Sequence, residues 1–302
     1  RQGAESRSRR TGSRALRDSH DRAGYPGIVS STDASPPASA DSPAATTPPA
    51  PGSPHPEGLP TWGARLASEG FASFLVVFTV VSITLVGQIG QTEQLPVPGI
   101  VYLATALGSG IALTLATVVF SRISGAHVLP PVTVGLAAAG RFAWRDVVPY
   151  LAAQLVGAIA ATTVLVLIGL FGPAQWLTSA QDAGFASNGW GTLSSHGFGF
   201  GAAVVVELVF SAFIVLVALS TRGRTSAAFT AAAAGGILTL ALLVCIPIDG
   251  GGLNPARSIA TAMYGGLAPL LHAWLFVVAP LVAALVAGFA YRPLFETRRA
   301  RD

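Results

Sequence analysis

The residues able to do chemistry in this 302-residue chain are few and stand apart from one another. Its 14 acidic residues, five histidines and single cysteine form no recognisable nucleophile–base pair, phosphate loop or metal-ligand cluster. The exceptions are the run Asn254-Pro255-Ala256-Arg257 after a glycine-rich loop, and two glutamates, Glu69 and Glu207, beside long uncharged stretches. Amide and guanidinium groups donate hydrogen bonds to neutral solutes, and the guanidinium repels cations. Without a catalytic cluster in the sequence, we expect neither an enzyme nor a cofactor.

The composition places these residues in a membrane protein. Charged residues make up 11% of the chain, hydrophobic residues make up 51%, and the mean hydropathy is +0.59. Soluble domains carry about 25% charged residues. All 18 basic residues are arginines, and seven of them fall in the first 22 residues and not along a folded face. The net charge of +4 therefore does not indicate a nucleic-acid binder.

Residues 1–60 form a separate segment in which Arg and Ser dominate the start and Pro, Ala and Ser dominate 35–60. Such a composition cannot bury enough apolar surface to offset the entropy lost on ordering. We expect a disordered cytoplasmic tail over 1–60, with a regulatory or lipid-binding role as the alternative. A folded domain over 61–295 and a short cytoplasmic tail over 296–302 complete the predicted organisation.

Six stretches are long and apolar enough to cross a bilayer, which takes about 20 residues. They cover 70–88, 99–121, 147–171, 198–220, 226–248 and 269–291. Nearly all the arginines lie in the tails and in the loops of one side, while the opposite loops carry Glu93, Asp182, Asp249 and a single Arg257. The positive-inside rule then puts both termini in the cytoplasm. Arg257 alone breaks this asymmetry, which makes it a functional candidate.

Two further segments, 124–135 and 249–258, are too short to span. In each, a loop of small residues leads to a proline, Pro130 or Pro255, which suits the first turn of a helix. Half-helices at matching places of two three-span halves mark an inverted repeat. The sequence thus predicts an all-α membrane protein with six transmembrane helices and two re-entrant half-helices.

These features resemble the aquaporin (major intrinsic protein) family over roughly residues 62–295. The likeness rests on Asn254-Pro255-Ala256-Arg257-Ser258, on Ser124-Gly125-Ala126-His127, and on Glu69 and Glu207 near the starts of spans 1 and 4. The stretch 184–189 is similar to a long extracytoplasmic loop of bacterial water channels. The resemblance implies a homotetramer in the plasma membrane whose partners are the lipid bilayer and water or a small neutral solute.

The resemblance also implies a pore centre, and this chain departs from the family there. The centre would be formed by Leu129, Pro130 and Pro131 of one loop and Asn254, Pro255 and Ala256 of the other. The family normally presents Asn-Pro-Ala in both loops. Leu129 offers no donor and is a poor N-cap, while Pro131 removes a second backbone N–H. Weaker exclusion of protons and cations and a narrower, dewetted pore are both open consequences.

An outer selectivity filter is implied at Ser109, Leu242, Gly251 and Arg257. Strict water channels of the family usually carry a large aromatic residue and a histidine at the first two positions. We therefore expect a wider, less polar filter that admits a small neutral solute besides water. Ser258 argues against a glycerol channel, because such channels typically carry Asp at that position.

Three polar residues are expected to support the loops. Glu69 and Glu207 would accept hydrogen bonds from backbone N–H groups of the re-entrant loops, and His127 would be a structural hydrogen-bonding residue of the first loop. A proton-coupled secondary transporter that uses the two glutamates is an alternative. Another is a closed relative in which Leu129 plugs the pore and the tail supplies the function.

Overall fold

The computed structural model describes residues 60–89 and 98–296, and within these ranges the regular structure is entirely helical. The elements in chain order are α1 (Trp62–Ile89), α2 (Pro98–Phe120), α3 (Pro130–Ala138), α4 (Trp144–Leu170), α5 (Trp176–Asp182), a 3-10 turn (Gly191–Leu193), α6 (Phe200–Thr221), α7 (Ala227–Asp249), α8 (Pro255–Ala262), α9 (Leu267–His272) and α10 (Leu275–Phe295). The predicted tails over 1–60 and 296–302, except for Pro60 and Glu296, lie outside the described residues.

Six helical stretches of the described chain are long and apolar enough to cross a membrane, which confirms the six predicted spans. The first begins eight residues earlier than predicted, because α1 accommodates a charged residue in its first turn. The Nε of Arg65 donates a hydrogen bond to the Tyr150 hydroxyl at 3.0 Å, and its guanidinium lies 4.9 Å from the ring centroid of Trp62. The last stretch, 267–295, consists of α9 and α10.

The helices pair as two halves of an inverted repeat. In the first half α1 packs against α2 and α4, and in the second half α6 packs against α7 and α10. The halves meet where α2 packs on α7. Each half-helix packs mainly against the other half, since α3 lies on α10 and α6 while α8 lies chiefly on α4. The two short helices are therefore held inside the bundle, where irregular backbone is tolerated.

Glycines allow the closest helix contacts. A Cβ added to Gly235 of α7 would overlap the backbone carbonyl of Gly110 in α2, and one added to Gly157 of α4 would overlap the carbonyl of Gly70 in α1. Small residues at such crossings let backbones approach, as is usual for helices packed in lipid.

The described bundle exposes apolar side chains and buries charged ones, as an apolar surrounding requires. Large apolar side chains such as Phe71, Val148 and Val286 are exposed on the outer faces, whereas Glu69 and Glu207 are fully buried. Soluble monomers do not carry so much exposed apolar surface.

Candidate functional site

The carboxylate of Glu69 in α1 holds the first re-entrant loop, which precedes α3. Its Oε1 accepts hydrogen bonds from Ser124 Oγ at 2.7 Å and from the His127 N–H at 2.8 Å. Its Oε2 accepts from the Val128 N–H and from Gln154 Nε2, both at 2.8 Å. Charge-assisted bonds of this kind satisfy loop N–H groups that have no helical partner. Glu69 therefore binds the first loop through three hydrogen bonds and α4 through a fourth.

Glu207 in α6 has the equivalent position beside the second loop. Both of its carboxylate oxygens lie within hydrogen-bond distance of the Leu253 N–H, at 3.1 and 2.9 Å. The next residue, Asn254, caps α8 with its side chain, because Oδ1 accepts from the N–H groups of Ala256 at 3.1 Å and Arg257 at 3.3 Å.

The two loops share one local backbone geometry. Val128 and Leu253, the residues just before the two half-helix caps, have φ values of 64° and 52°. In each loop the N–H of the following residue donates to the carbonyl of the preceding one, at 2.7 and 2.6 Å, as in a γ-turn. A left-handed conformation costs about 1–3 kcal/mol for residues with a Cβ. The glutamates bind the N–H groups of these same two residues and so stabilise the strained turns.

The caps of the two half-helices differ. Leu129 makes no side-chain hydrogen bond to α3, and Pro130 and Pro131 occupy its first turn. An N-cap side chain bonds the N–H of the second or third helical residue, so Pro131 leaves that of Val132 as the one available donor. Leu129 is 1% exposed and belongs to the same buried apolar cluster as Val132 and Leu242. The first cap is thus apolar where the second is an amide.

His127 is buried beside the first loop and binds within the protein. Its Nδ1 lies 3.2 Å from the Thr133 hydroxyl of α3. Its ring packs against Phe142 and Tyr150, with centroid distances of 4.6 and 5.1 Å. These contacts fix the ring orientation.

Arg257 joins two loop segments near one end of the bundle. Its Nη1 donates to Asn188 Oδ1, and its Nη2 donates to the carbonyls of Ala186 at 2.9 Å and Gly250 at 3.2 Å. Ser258 donates to the same Asn188 Oδ1 at 2.8 Å. The guanidinium is held in one orientation while it lines a cavity of about 420 Å³, the outer cavity.

The other three residues predicted to form the filter are buried near this cavity. Leu242 lies against Gly251, because a Cβ added to that glycine would come within 2.6 Å of Leu242 Cδ2. Ser109 is fully buried and donates to the carbonyl of Thr105, which lines the outer cavity. The structure thus brings Leu242 and Gly251 into direct contact and connects Arg257 to the residue before Gly251.

A second cavity of about 460 Å³, the inner cavity, is lined by His127, Arg141 and Arg222 among others. Arg222 follows α6 directly and donates from Nη1 and Nη2 to the carbonyls of Gly125 and Ala126 in the first loop. Burial lowers the pKa of Arg222 to about 10, and Glu69 partly opposes this shift. Arg222 therefore stays charged at neutral pH.

The sequence profile of the major intrinsic proteins matches residues 59–291, which include every element described above except the last four residues of α10. The chain belongs to the major intrinsic protein family. Members of this family are channels in membranes and not enzymes, so this chain is a multi-pass membrane channel.

Curated relatives and a solved structure agree with this assignment. The chain is 36% identical to Aquaporin Z of Brucella melitensis over 231 residues, covering 76% of this chain and 97% of that protein. It is 35% identical to Aquaporin Z of Photorhabdus laumondii over 236 residues, covering 78% and 99%. An X-ray structure of the aquaglyceroporin from Plasmodium falciparum shares the fold with a TM-score of 0.66 at 19% identity, covering 78% and 97%.

Sequence reasoning on this major intrinsic protein missed three residues that contact the site residues. Asn188 binds Arg257, Gln154 binds Glu69 and Arg222 binds the first loop, each across at least 69 residues of chain. Their one signal in the sequence is a polar side chain in or beside apolar surroundings. Among the described residues no group of three His, Cys, Asp or Glu side chains is placed to hold a metal ion.

Proposed function

We propose that this major intrinsic protein is a passive channel for water and small uncharged solutes, with one pore through each subunit. The single observation that carries the proposal is the pair of re-entrant loops, each closed by a strained turn and bound to a buried glutamate. Backbone of this kind at membrane depth is tolerated where it is buried in protein or lines an aqueous path. The relatives named Aquaporin Z support water as a permeant.

The outer filter in this proposal consists of Ser109, Leu242, Gly251 and Arg257. Arg257 is the one charged member, and its guanidinium donates hydrogen bonds to solute oxygens and repels cations. The other three contribute a hydroxyl, an alkyl group and no side chain, so neither an aromatic ring nor an imidazole narrows the passage. We infer that small neutral solutes larger than water pass this filter.

At the pore centre we assign the solute contact to Asn254. Its Oδ1 is occupied by two backbone N–H groups of α8, which leaves the Nδ2 donors for a passing solute. Leu129 at the matching position of the first loop makes the opposite side of the centre apolar. Pro130, Pro131, Pro255 and Ala256 form the adjoining first turns of the two half-helices.

We further propose that the protein lies in the plasma membrane as a homotetramer, with both termini in the cytoplasm. Of the described arginines, only Arg257 lies at the end of the bundle opposite the loops that carry Arg141 and Arg222. By the positive-inside rule, the arginine-rich end faces the cytoplasm. Native mass spectrometry in detergent tests the subunit number, and protease accessibility of the tail in intact cells tests the orientation.

The apolar cluster around Leu129 favours one competing function, a channel that is closed or nearly so. Leu129 and Leu242 are 1% and 3% exposed and belong to one buried cluster, and an apolar constriction can block a pore by dewetting. A proton-coupled transporter is less well supported, because Glu69 accepts hydrogen bonds at both oxygens from loop and side-chain donors.

Stopped-flow light scattering on proteoliposomes tests the proposal. Osmotic shock with an impermeant solute measures water permeability, and inward gradients of glycerol and urea measure solute permeability. We expect wild-type vesicles to exceed empty vesicles for water and for at least one of the two solutes. Permeabilities equal to those of empty vesicles would instead support the closed channel.

A variant pair tests the filter. Ser109→Phe adds the bulk that a strict water filter carries, so we expect it to reduce solute permeability about tenfold or more while water still passes. Ser109→Ala removes the hydroxyl without adding bulk and should retain solute permeability. Equal solute permeability in both variants would contradict the assignment of Ser109 to the filter.

A further inference from the structure

A second buried guanidinium binds the first re-entrant loop from the inner side. Arg222 lines the inner cavity and donates from Nη1 to the carbonyl of Gly125 and from Nη2 to that of Ala126, the latter at 2.7 Å. These carbonyls belong to the loop that leads to Leu129, the cap that lacks an amide.

Its hydrogen-bond pattern matches that of Arg257 at the outer cavity. In both arginines the two Nη groups donate to loop oxygen atoms. In both, the Nε is buried and has no hydrogen-bond partner within the described ranges. Each cavity is therefore lined by a guanidinium that loop oxygens fix, and the inner cavity is also lined by Arg141, which forms an ion pair with Glu296.

The charge of Arg222 is not neutralised by an ion pair within residues 60–89 and 98–296. The nearby carboxylate of Glu296 pairs with Arg141 at 2.5 Å and with Arg224 at 2.8 Å. Glu69, the acidic group near the first loop, acts on Arg222 through its charge but forms no ion pair with it, and its hydrogen bonds come from backbone and side-chain donors of the loop and of α4.

We propose that Arg222 is a second cation barrier of the pore, placed at the cytoplasmic mouth, where it supplies part of the cation and proton exclusion that Leu129 cannot. The inference rests on the proposed channel function and orientation. A fixed positive charge at a pore mouth with low-dielectric walls raises the energy of an entering cation but leaves neutral water unaffected. Arg222 acts before a cation reaches the centre, whereas Arg257 acts at the other end.

The test measures proton and K⁺ flux into proteoliposomes that contain a pH dye, with water permeability recorded on the same vesicles. We expect Arg222→Gln to raise cation flux about tenfold, which corresponds to about 1.4 kcal/mol, with water permeability within about twofold of wild type. Arg222→Lys keeps the charge and should keep the barrier. Arg224→Gln, on the same side but paired with Glu296, is the matched control and should leave the flux unchanged.

A cysteine variant separates the charge from the fold. In Arg222→Cys, a thiosulfonate reagent that carries a trimethylammonium group restores a positive charge after assembly, and we expect it to suppress the cation leak. A thiosulfonate reagent that carries a negatively charged sulfonate group should not suppress the leak. The native Cys245 is fully buried, and reagent-treated wild type controls for it.

Cation flux in Arg222→Gln equal to wild type, with normal water permeability, would overturn the barrier and leave the channel function standing. A leak in Arg222→Cys that both reagents leave unchanged would overturn it as well. Wild-type vesicles without water or solute permeability would refute the channel function itself and with it this inference.

Discussion

Replacing each loop-binding glutamate by glutamine should destabilise the protein to different extents. Glu69 accepts four hydrogen bonds, whereas Glu207 binds a single backbone N–H with its two oxygens. A glutamine keeps one acceptor oxygen and turns an NH₂ group toward the other donors. Glu207→Gln can therefore keep its bond to Leu253, while Glu69→Gln cannot keep all of its partners.

The magnitudes follow from this count. In Glu69→Gln the unpaired Oε1 of Gln154 can accept from the new NH₂ group if its amide flips. One loop N–H then loses its acceptor, at about 1–3 kcal/mol, and the remaining bonds lose their charge, at about 0.5–1 kcal/mol each. With three bonds remaining, the sum is about 2.5–6 kcal/mol. Glu207→Gln keeps an acceptor for the Leu253 N–H, and its new NH₂ group can donate to the neighbouring Asp249 carboxylate, so the loss is at most about 1 kcal/mol.

Thermal unfolding in detergent, followed by tryptophan fluorescence, measures the difference. For a folded part of this size 1 kcal/mol shifts the Tm by about 2–4 °C, so Glu69→Gln should lower the Tm by about 5–24 °C and Glu207→Gln by at most about 2–4 °C. Each variant is the control of the other, because both replace a buried glutamate carboxylate by an amide. Equal shifts, or a larger one for Glu207→Gln, would refute the hydrogen-bond count as the source of loop stability.

Three further predictions concern packing, the first cap and the inner end of α10. Gly235→Val should prevent stable assembly because its side chain would overlap the carbonyl of α2, while Gly236→Val, whose Cβ meets open space, should assemble as wild type does in size-exclusion chromatography. Leu129→Asn should raise osmotic water permeability and lower the Tm. The variant loses the burial of a leucine side chain, worth about 1.5–3 kcal/mol. The helix cap that it gains is worth about 0.5–1 kcal/mol, because only one backbone N–H is there to bind. Hydrogen bonding to Arg141 lowers the pKa of Glu296, so the extra stability of wild type over Glu296→Gln should be present above the ordinary glutamate pKa and disappear as the pH falls through the lowered one. A Tm difference that persists at acid pH would contradict that origin.

The sequence predicted the spans and half-helices well because their signals are local. A run of uncharged residues and a proline after a small-residue loop report directly on bilayer crossing and helix initiation. The start of α1 was misjudged because Arg65 looks costly in a window of residues, whereas Tyr150 and Trp62 accommodate its guanidinium.

The partners of the site residues were not predictable in the same way. Asn188 and Arg257 are 69 residues apart in the sequence, with α6 and α7 between them, and no periodicity in the sequence encodes their contact. Arg222 reads as an ordinary positive-inside residue of a short loop. Its contact with the first re-entrant loop depends on the packing of α6 against α3, and the order of residues in the sequence does not reveal that packing.

The exchange of half-helices between the two halves has a consequence for the order in which the protein is made. α3 is complete at Ala138, but its main neighbour α10 ends at Phe295, about 160 residues later. At about 5–20 residues per second the ribosome needs roughly 10–30 s to supply it. α8, by contrast, emerges when its main neighbour α4 is already in the membrane. During biogenesis the first loop therefore waits far longer than the second for its packing partners.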